Sequence, residues 1–175
     1  MVWKFRKRVC GLITLNKIVY LISPNEISKN FYNTLEKVLS FGNVEFFQLR
    51  LKKNKLNDVI KIAKKIRKIT YKHNVKFIIN DNYKLVSKIE ADGCHMGQLD
   101  GSLKFARKKL RTKILGVTCH NSIALAEDAN KNKANYLAFG SFFKSRLKPN
   151  AKKANLRILD QVKKKFKQPI VVIGG

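Results

Sequence analysis

The chain has 175 residues, 45% of them apolar and 10% aromatic, which suits a globular domain with its own core and excludes a disordered chain. It carries 38 Lys and Arg against 11 Asp and Glu, a formal net charge of +27, and no apolar run of a length that would cross a bilayer as a helix. With three prolines and no Ser/Gly-rich stretch there is no linker, so residues 1–175 read as a single domain. The segment "MVWKFRKRVCGLITLN" places basic residues before a short apolar patch without a small-residue cleavage pattern. Residues 1–17 therefore read as a basic N-terminal extension of a cytoplasmic protein. Cys10, Cys94 and Cys119 are odd in number and lack CxxC spacing, against a disulfide framework or a zinc site and in favour of a reducing compartment.

Seven short apolar runs follow in order: Ile18 to Ile22, Val44 to Arg50, Val75 to Asn80, Ala91 to Gly97, Lys113 to Thr118, Asn135 to Gly140 and Pro169 to Gly175. Between them lie amphipathic stretches. In "KLNDVIKIAKKIRKITYKH", Leu56, Val59, Ile60, Ile62, Ala63, Ile66 and Ile69 recur at three- and four-residue steps, which predicts a helix with one buried face and lysines on the other. Strand and helix in unbroken alternation predict right-handed βαβ units and a parallel sheet, and favour an α/β fold of the (β/α)8 barrel type, ending after strand seven. Exposed edge strands would invite a second copy, a homo-oligomer.

In such barrels the chemistry sits at the C-terminal ends of the strands. Polar residues recur there: Gln48, Arg50 and Lys52 after the second run, Asn80 and Asp81 after the third, Gln98 and Asp100 after the fourth, Thr118 and His120 after the fifth, Ser145 and Lys148 after the sixth. Two carboxylates on neighbouring strands, in a chain poor in acids, suit Mg²⁺, a hard cation that keeps waters and shares its remaining positions with substrate phosphates. Arg50, Lys52 and Lys148 would neutralise a diphosphate, and the backbone of Gly174 and Gly175 would admit a second phosphate.

Each motif has a plainer reading. Asn80-Asp81 could be a helix N-cap, and Asp100-Gly101 a turn before a helix start. His95 and His120 read as structural or hydrogen-bonded residues, since no third soft metal ligand stands nearby. The lysines are spread along helices in a chain also rich in Asn and Ile, as drift toward A and T in the coding sequence would produce. They show neither interleaved aromatics nor a helix-turn-helix signal, so no nucleic-acid or membrane partner is expected. The positive field would still draw phosphorylated small molecules.

Taken together, "FFQLRLK", "IINDNYKLV", "ADGCHMGQLD", "LGVTCHN", "NYLAFGSFFKSRLKP" and "VVIGG" resemble thiamine phosphate synthase, a (β/α)8 enzyme of the thiazole synthase and tautomerase superfamily, in order from about Tyr20 to the last residue. The resemblance implies a transferase that joins hydroxymethylpyrimidine diphosphate to thiazole phosphate, through a pyrimidine cation, giving thiamine phosphate and diphosphate. It implies Asp81 and Asp100 as Mg²⁺ ligands, and Arg50, Lys52 and Asn80 as diphosphate contacts. Gln48 would lie near the pyrimidine, Thr118 near the diphosphate, and Lys148 on the loop after strand six. Ser145 and the Gly174-Gly175 backbone would face the thiazole phosphate.

Two departures fall on the thiazole half: Leu147 replaces a usual threonine, and an eighth strand would follow Gly175. Two readings therefore stand beside the synthase. A thiazole tautomerase would rest on a histidine such as His120, although an isomerase has no use for two magnesium ligands. A degenerate, non-catalytic phosphate-binding barrel is the other.

Overall fold

The computed structural model describes residues 2–9, 12–143 and 153–174, with the backbone alone for residues 2–9 and 12–18. Eight strands form one sheet in sequence order: β1 (Val2–Val9), β2 (Leu12–Ile22), β3 (Val44–Leu49), β4 (Lys76–Asn80), β5 (Gly93–Met96), β6 (Ile114–His120), β7 (Tyr136–Gly140) and β8 (Ile170–Ile173). From β2 to β8 every neighbouring pair is parallel, giving a seven-stranded parallel half-barrel. All seven predicted strands are present.

The hairpin at the start was not anticipated. The strand expected from Ile18 begins at Leu12, and it pairs antiparallel with β1 from Val2↔Val19 to Val9↔Leu12. The basic segment thus continues the sheet. The backbone of β1 also comes within 8 Å of β8, Cα to Cα, although β1 and β8 are the two ends of the hydrogen-bonded order.

Helices α1 (Phe31–Ser40), α2 (Leu56–Lys72), α3 (Leu103–Leu110), α4 (Ile123–Lys131) and α5 (Arg157–Lys165) connect the strands, with a 3-10 turn at Tyr83–Leu85 after β4. The predicted helical face of α2 is present: Val59, Ile60, Ala63 and Ile66 are buried, and Ile62 and Ile69 pack partly against the core. Leu56, the first residue of the helix, is exposed instead.

Strand alternation splits the interior into two clusters. Phe47 and Leu49 of β3, Phe77 and Ile79 of β4, Leu115 and Val117 of β6, and Leu137 and Phe139 of β7 point to one face. There they pack with Leu39, Ile66, Ala106, Ala126 and Val162 of the helices. The opposite parity gives a second cluster, Tyr20, Phe46, Ile78, Tyr136, Ala138 and Val171, which lines the inner face of the half-barrel. The same alternation, continued two residues further, carries Phe46 to Gln48 and Ile78 to Asn80. The inner face therefore turns from apolar to polar at the strand ends.

Candidate active site

The ends of β3 to β6 hold the predicted residues together. Gln48 is 3% exposed, and its Nε2 donates to Asn80 Oδ1 at 2.6 Å. Directly after Asn80 the chain turns through Asp81 in the left-handed region (φ +65°), a conformation that aspartate tolerates better than most residues. The Asp81 N–H donates to the His95 carbonyl at 2.8 Å, tying the turn to β5. Lys52 Nζ lies 3.0 Å from Asp81 Oδ2.

Asp100 reaches the same place from the β5 side. Its Oδ2 accepts the Gly97 N–H at 2.6 Å, and a Cβ at position 97 would stand 2.8 Å from that oxygen, so glycine is what allows the approach. Asp100 and Asp81 are electrostatic neighbours there. Burial, together with that second carboxyl, pushes the Asp81 carboxyl above its ordinary range, while Lys52 opposes the shift.

The residue that caps the 3-10 turn is Asn82, and no side chain bonds there, so Asp81 is not a helix cap. Helix α3 is capped by Ser102, whose side chain accepts from the Phe105 N–H. Asp100 does close a tight turn onto Gly97, and Gly101 takes φ +109° after it, so the turn reading of Asp100-Gly101 is correct as far as it goes. The turn also brings the carboxylate to Asp81.

Arg50 follows β3; its N–H donates to Ser23 Oγ at 2.9 Å and its guanidinium to Asn25 Oδ1 at 3.1 Å, both on the segment after β2. Thr118, on β6, has its Oγ1 2.8 Å from His95 Nε2, while Gln98 Nε2 donates to the Thr118 carbonyl. His120 ends β6 as an exposed residue at φ +51°, just past a register shift in the β6–β7 ladder. Gly174 follows β8 against Phe143, where a Cβ would meet that ring at 3.1 Å. Ser145, Leu147, Lys148 and Gly175, like Cys10, lie outside the described residues. A cavity of about 870 Å³ lined by Tyr83, Phe105 and several lysines runs along α3 and contains none of the predicted site residues.

Beneath the polar mouth lies an element that sequence reasoning missed. His95 is 7% exposed, its Nδ1 is 2.9 Å from the Tyr136 hydroxyl, and that hydroxyl is 2.8 Å from the hydroxyl of Tyr20. Burial holds the imidazole down at about 4, with Asp100 pulling it upward and Arg50 and Lys52 reinforcing the drop, so it is neutral at pH 7. Burial likewise pushes both phenols up, and they stay protonated. The thiols of Cys94 and Cys119 are buried and their ionisation is suppressed in the same way, Cys119 to about 12. Among the described residues, no helix is long and apolar enough to cross a membrane.

A parallel half-barrel that gathers paired carboxylates, amides and basic side chains at its strand ends belongs to the class of α/β barrel-type proteins, which carry their sites at that end. Comparison with known proteins narrows this. The sequence model described as thiamine monophosphate synthase matches residues 19–175, and the chain belongs to that family. It is 55% identical over 161 residues to the thiamine-phosphate synthase of Pelagibacter ubique, covering 91% of this chain and 77% of that one. With the thiamine-phosphate synthase of Erythrobacter litoralis it shares 40% identity over 162 residues, 90% of this chain and 76% of the relative. Among solved structures, the thiamine phosphate pyrophosphorylase from Pyrococcus furiosus superposes with a TM-score of 0.79 at 26% identity, covering 90% of this chain and 75% of that one.

Proposed function

We propose that the chain makes thiamine phosphate by transferring the hydroxymethylpyrimidine group of its diphosphate to the nitrogen of a thiazole phosphate, with loss of diphosphate and dependence on Mg²⁺. The observation that carries this reading is the meeting of Asp81, Asp100 and Lys52 at the ends of β3, β4 and β5, in a chain of the thiamine monophosphate synthase family.

The residues fit a small, hard cation. Two carboxylates within reach of each other, one of them pushed upward by burial and by its neighbour, form an arrangement that a divalent ion relieves. Among the described residues no group of three or more His, Cys, Asp or Glu assembles, and a cation that keeps its waters and borrows phosphate oxygens needs no third carboxylate. Asp81 and Asp100 would hold it. Bound there, Mg²⁺ would neutralise charge on the diphosphate and improve it as a leaving group.

The chain's own groups do the rest. Arg50 and Lys52 supply positive charge where the diphosphate gathers negative charge as its bond to carbon lengthens. The hydrogen bond between Gln48 and Asn80 commits one donor and one acceptor, so the pair retains the Gln48 carbonyl to accept from an aminopyrimidine and the Asn80 NH₂ to donate to a phosphate oxygen. Thr118 offers a hydroxyl on the next strand but one. Lys148 adds positive charge for the diphosphate, and Ser145 and the Gly174-Gly175 backbone are assigned to the thiazole phosphate, by the same reading. Holding both substrates so that nitrogen faces the departing carbon removes most of the entropic part of the barrier. Incubating the purified chain with both substrates and Mg²⁺ should yield thiamine phosphate and diphosphate in equal amounts; absence of product with either substrate bound would refute the assignment.

A further inference from the structure

Three hydrogen bonds join four side chains from four different strands into one line across the inner face. The hydroxyls of Tyr20 (β2) and Tyr136 (β7) are 2.8 Å apart, Tyr136 Oη is 2.9 Å from His95 Nδ1 (β5), and His95 Nε2 is 2.8 Å from Thr118 Oγ1 (β6). The line is held by packing. Tyr136 stacks on the imidazole at 5.6 Å with 16° between planes, and Tyr20 stacks on Phe46 at 5.4 Å and 11°. Gly116 makes room for it, since a Cβ there would lie 1.9 Å from Tyr136 Cζ. Tyr20, Tyr136 and His95 are all less than a tenth exposed, whereas Thr118 opens onto the mouth.

A neutral imidazole has one donor and one acceptor, so the direction of one bond sets the direction of the other. If Nε2 carries the proton, it donates to Thr118 Oγ1, and Nδ1 accepts from Tyr136. The Thr118 O–H, relieved of serving the imidazole, then points its proton elsewhere. If Nδ1 carries the proton, the Thr118 O–H is turned inward onto Nε2 and only its oxygen faces the mouth. The first arrangement has a phenol donating to an imidazole nitrogen, the better match of donor acidity to acceptor basicity; in the second a ring N–H donates to a phenol oxygen, which is the weaker acceptor.

We propose that Tyr20, Tyr136 and His95 are positioning residues that orient the Thr118 hydroxyl as a preset donor at the mouth, directed to an oxygen of the substrate diphosphate. The proposal rests on the diphosphate-binding reading given above. It assigns the phenols no proton-transfer role and needs no ionised state. What the line contributes is direction: a hydroxyl already turned outward does not have to reorient when the anion arrives.

The imidazole tautomer tests the line alone, without substrate. Nitrogen-15 NMR of the whole chain, with the His95 signals identified by their loss in His95→Gln, should show the Nε2–H tautomer; the Nδ1–H tautomer would overturn the proposal. A double-mutant cycle then tests its use. Thr118→Val should weaken Mg²⁺-dependent binding of inorganic diphosphate by roughly tenfold, the scale of a hydrogen bond to a charged group. Tyr136→Phe removes one oxygen from an otherwise unchanged ring and should weaken binding several-fold. Tyr20→Phe, one bond further away, should act in the same direction and less. In the Thr118→Val background, Tyr136→Phe should have no further effect, while independent, multiplying losses would mean that the tyrosine is only structural. If Thr118→Val leaves diphosphate binding unchanged, the preset-donor role is wrong even where wild-type chain still makes thiamine phosphate. If wild-type chain makes none, the functional reading fails, whichever tautomer is observed.

Discussion

The two faces of the sheet are built from the same strands and do different work. The outer face is apolar, aliphatic and aromatic side chains with Cys94, Met96 and Cys119 among them, and Phe77, Leu115, Leu137 and Phe139 are at 0% exposure beneath the helices. The inner face has large rings too, but beside Phe46 stand Tyr20, Tyr136 and His95, whose oxygens and nitrogens are hydrogen-bonded to side chains of other strands. One face can be changed only at a cost in stability. The other holds polar atoms whose arrangement, on the proposed function, matters more for what binds than for whether the chain folds.

Substitutions can be chosen to test that division. The largest expected effect is on the outer face: Phe77→Ala, which empties a fully buried ring site, should lower unfolding free energy by about 3–5 kcal/mol in denaturant titration while leaving diphosphate affinity per folded molecule unchanged. On the inner face, His95 should make stability depend on pH. Its folded value of about 4 lies below the unfolded value of about 6.5, so the unfolded chain binds the extra proton between them. This component of stability is fully present above pH ~6.5 and falls away as pH is lowered through that window, by roughly 3 kcal/mol in all. A His95→Gln chain should lack this component; an identical pH dependence in the two proteins would contradict the burial of a neutral imidazole. Asp81→Asn relieves the crowding of two carboxylates and should leave the metal-free fold as stable or more stable, measured by thermal melting, even as binding suffers. The smallest effect should come from the surface. Lys72→Ala, which removes a 2.6 Å ion pair with Glu36 at the protein surface, should leave the thermal melting curve essentially unchanged.

The same contrast explains what could be read in advance. Alternation along Phe46-Phe47-Gln48 and Ile78-Ile79-Asn80 already tells which side chains share a face, and the step from apolar to polar marks the strand end; period two is a local property. The helical face of α2 is equally local, with Leu56 as the exception because a repeat says nothing about where the first turn lies relative to the sheet. The Tyr20–Tyr136–His95 line was invisible for the opposite reason. Its members are separated by 116 and 41 residues, and their meeting depends on strand register and on the space above Gly116. The opening hairpin was hidden by its lysines and arginines, which read as a basic extension although Val2–Val9 pairs residue by residue with β2. The aspartates lay between these cases. Their placement suggested a metal pair, or a cap and a turn, and only the path of the chain through Asp81 and the turn at Gly97 brings the carboxylates together.

The most direct test of the central claim is a calorimetric titration of the chain with hydroxymethylpyrimidine diphosphate, with and without Mg²⁺, repeated on Asp81→Asn and Asp100→Asn. Binding that requires Mg²⁺ in the parent chain and falls at least tenfold in each variant, with folding intact, is the predicted result. Equal binding in all three proteins, or binding indifferent to Mg²⁺, would mean that the two carboxylates only shape their turns.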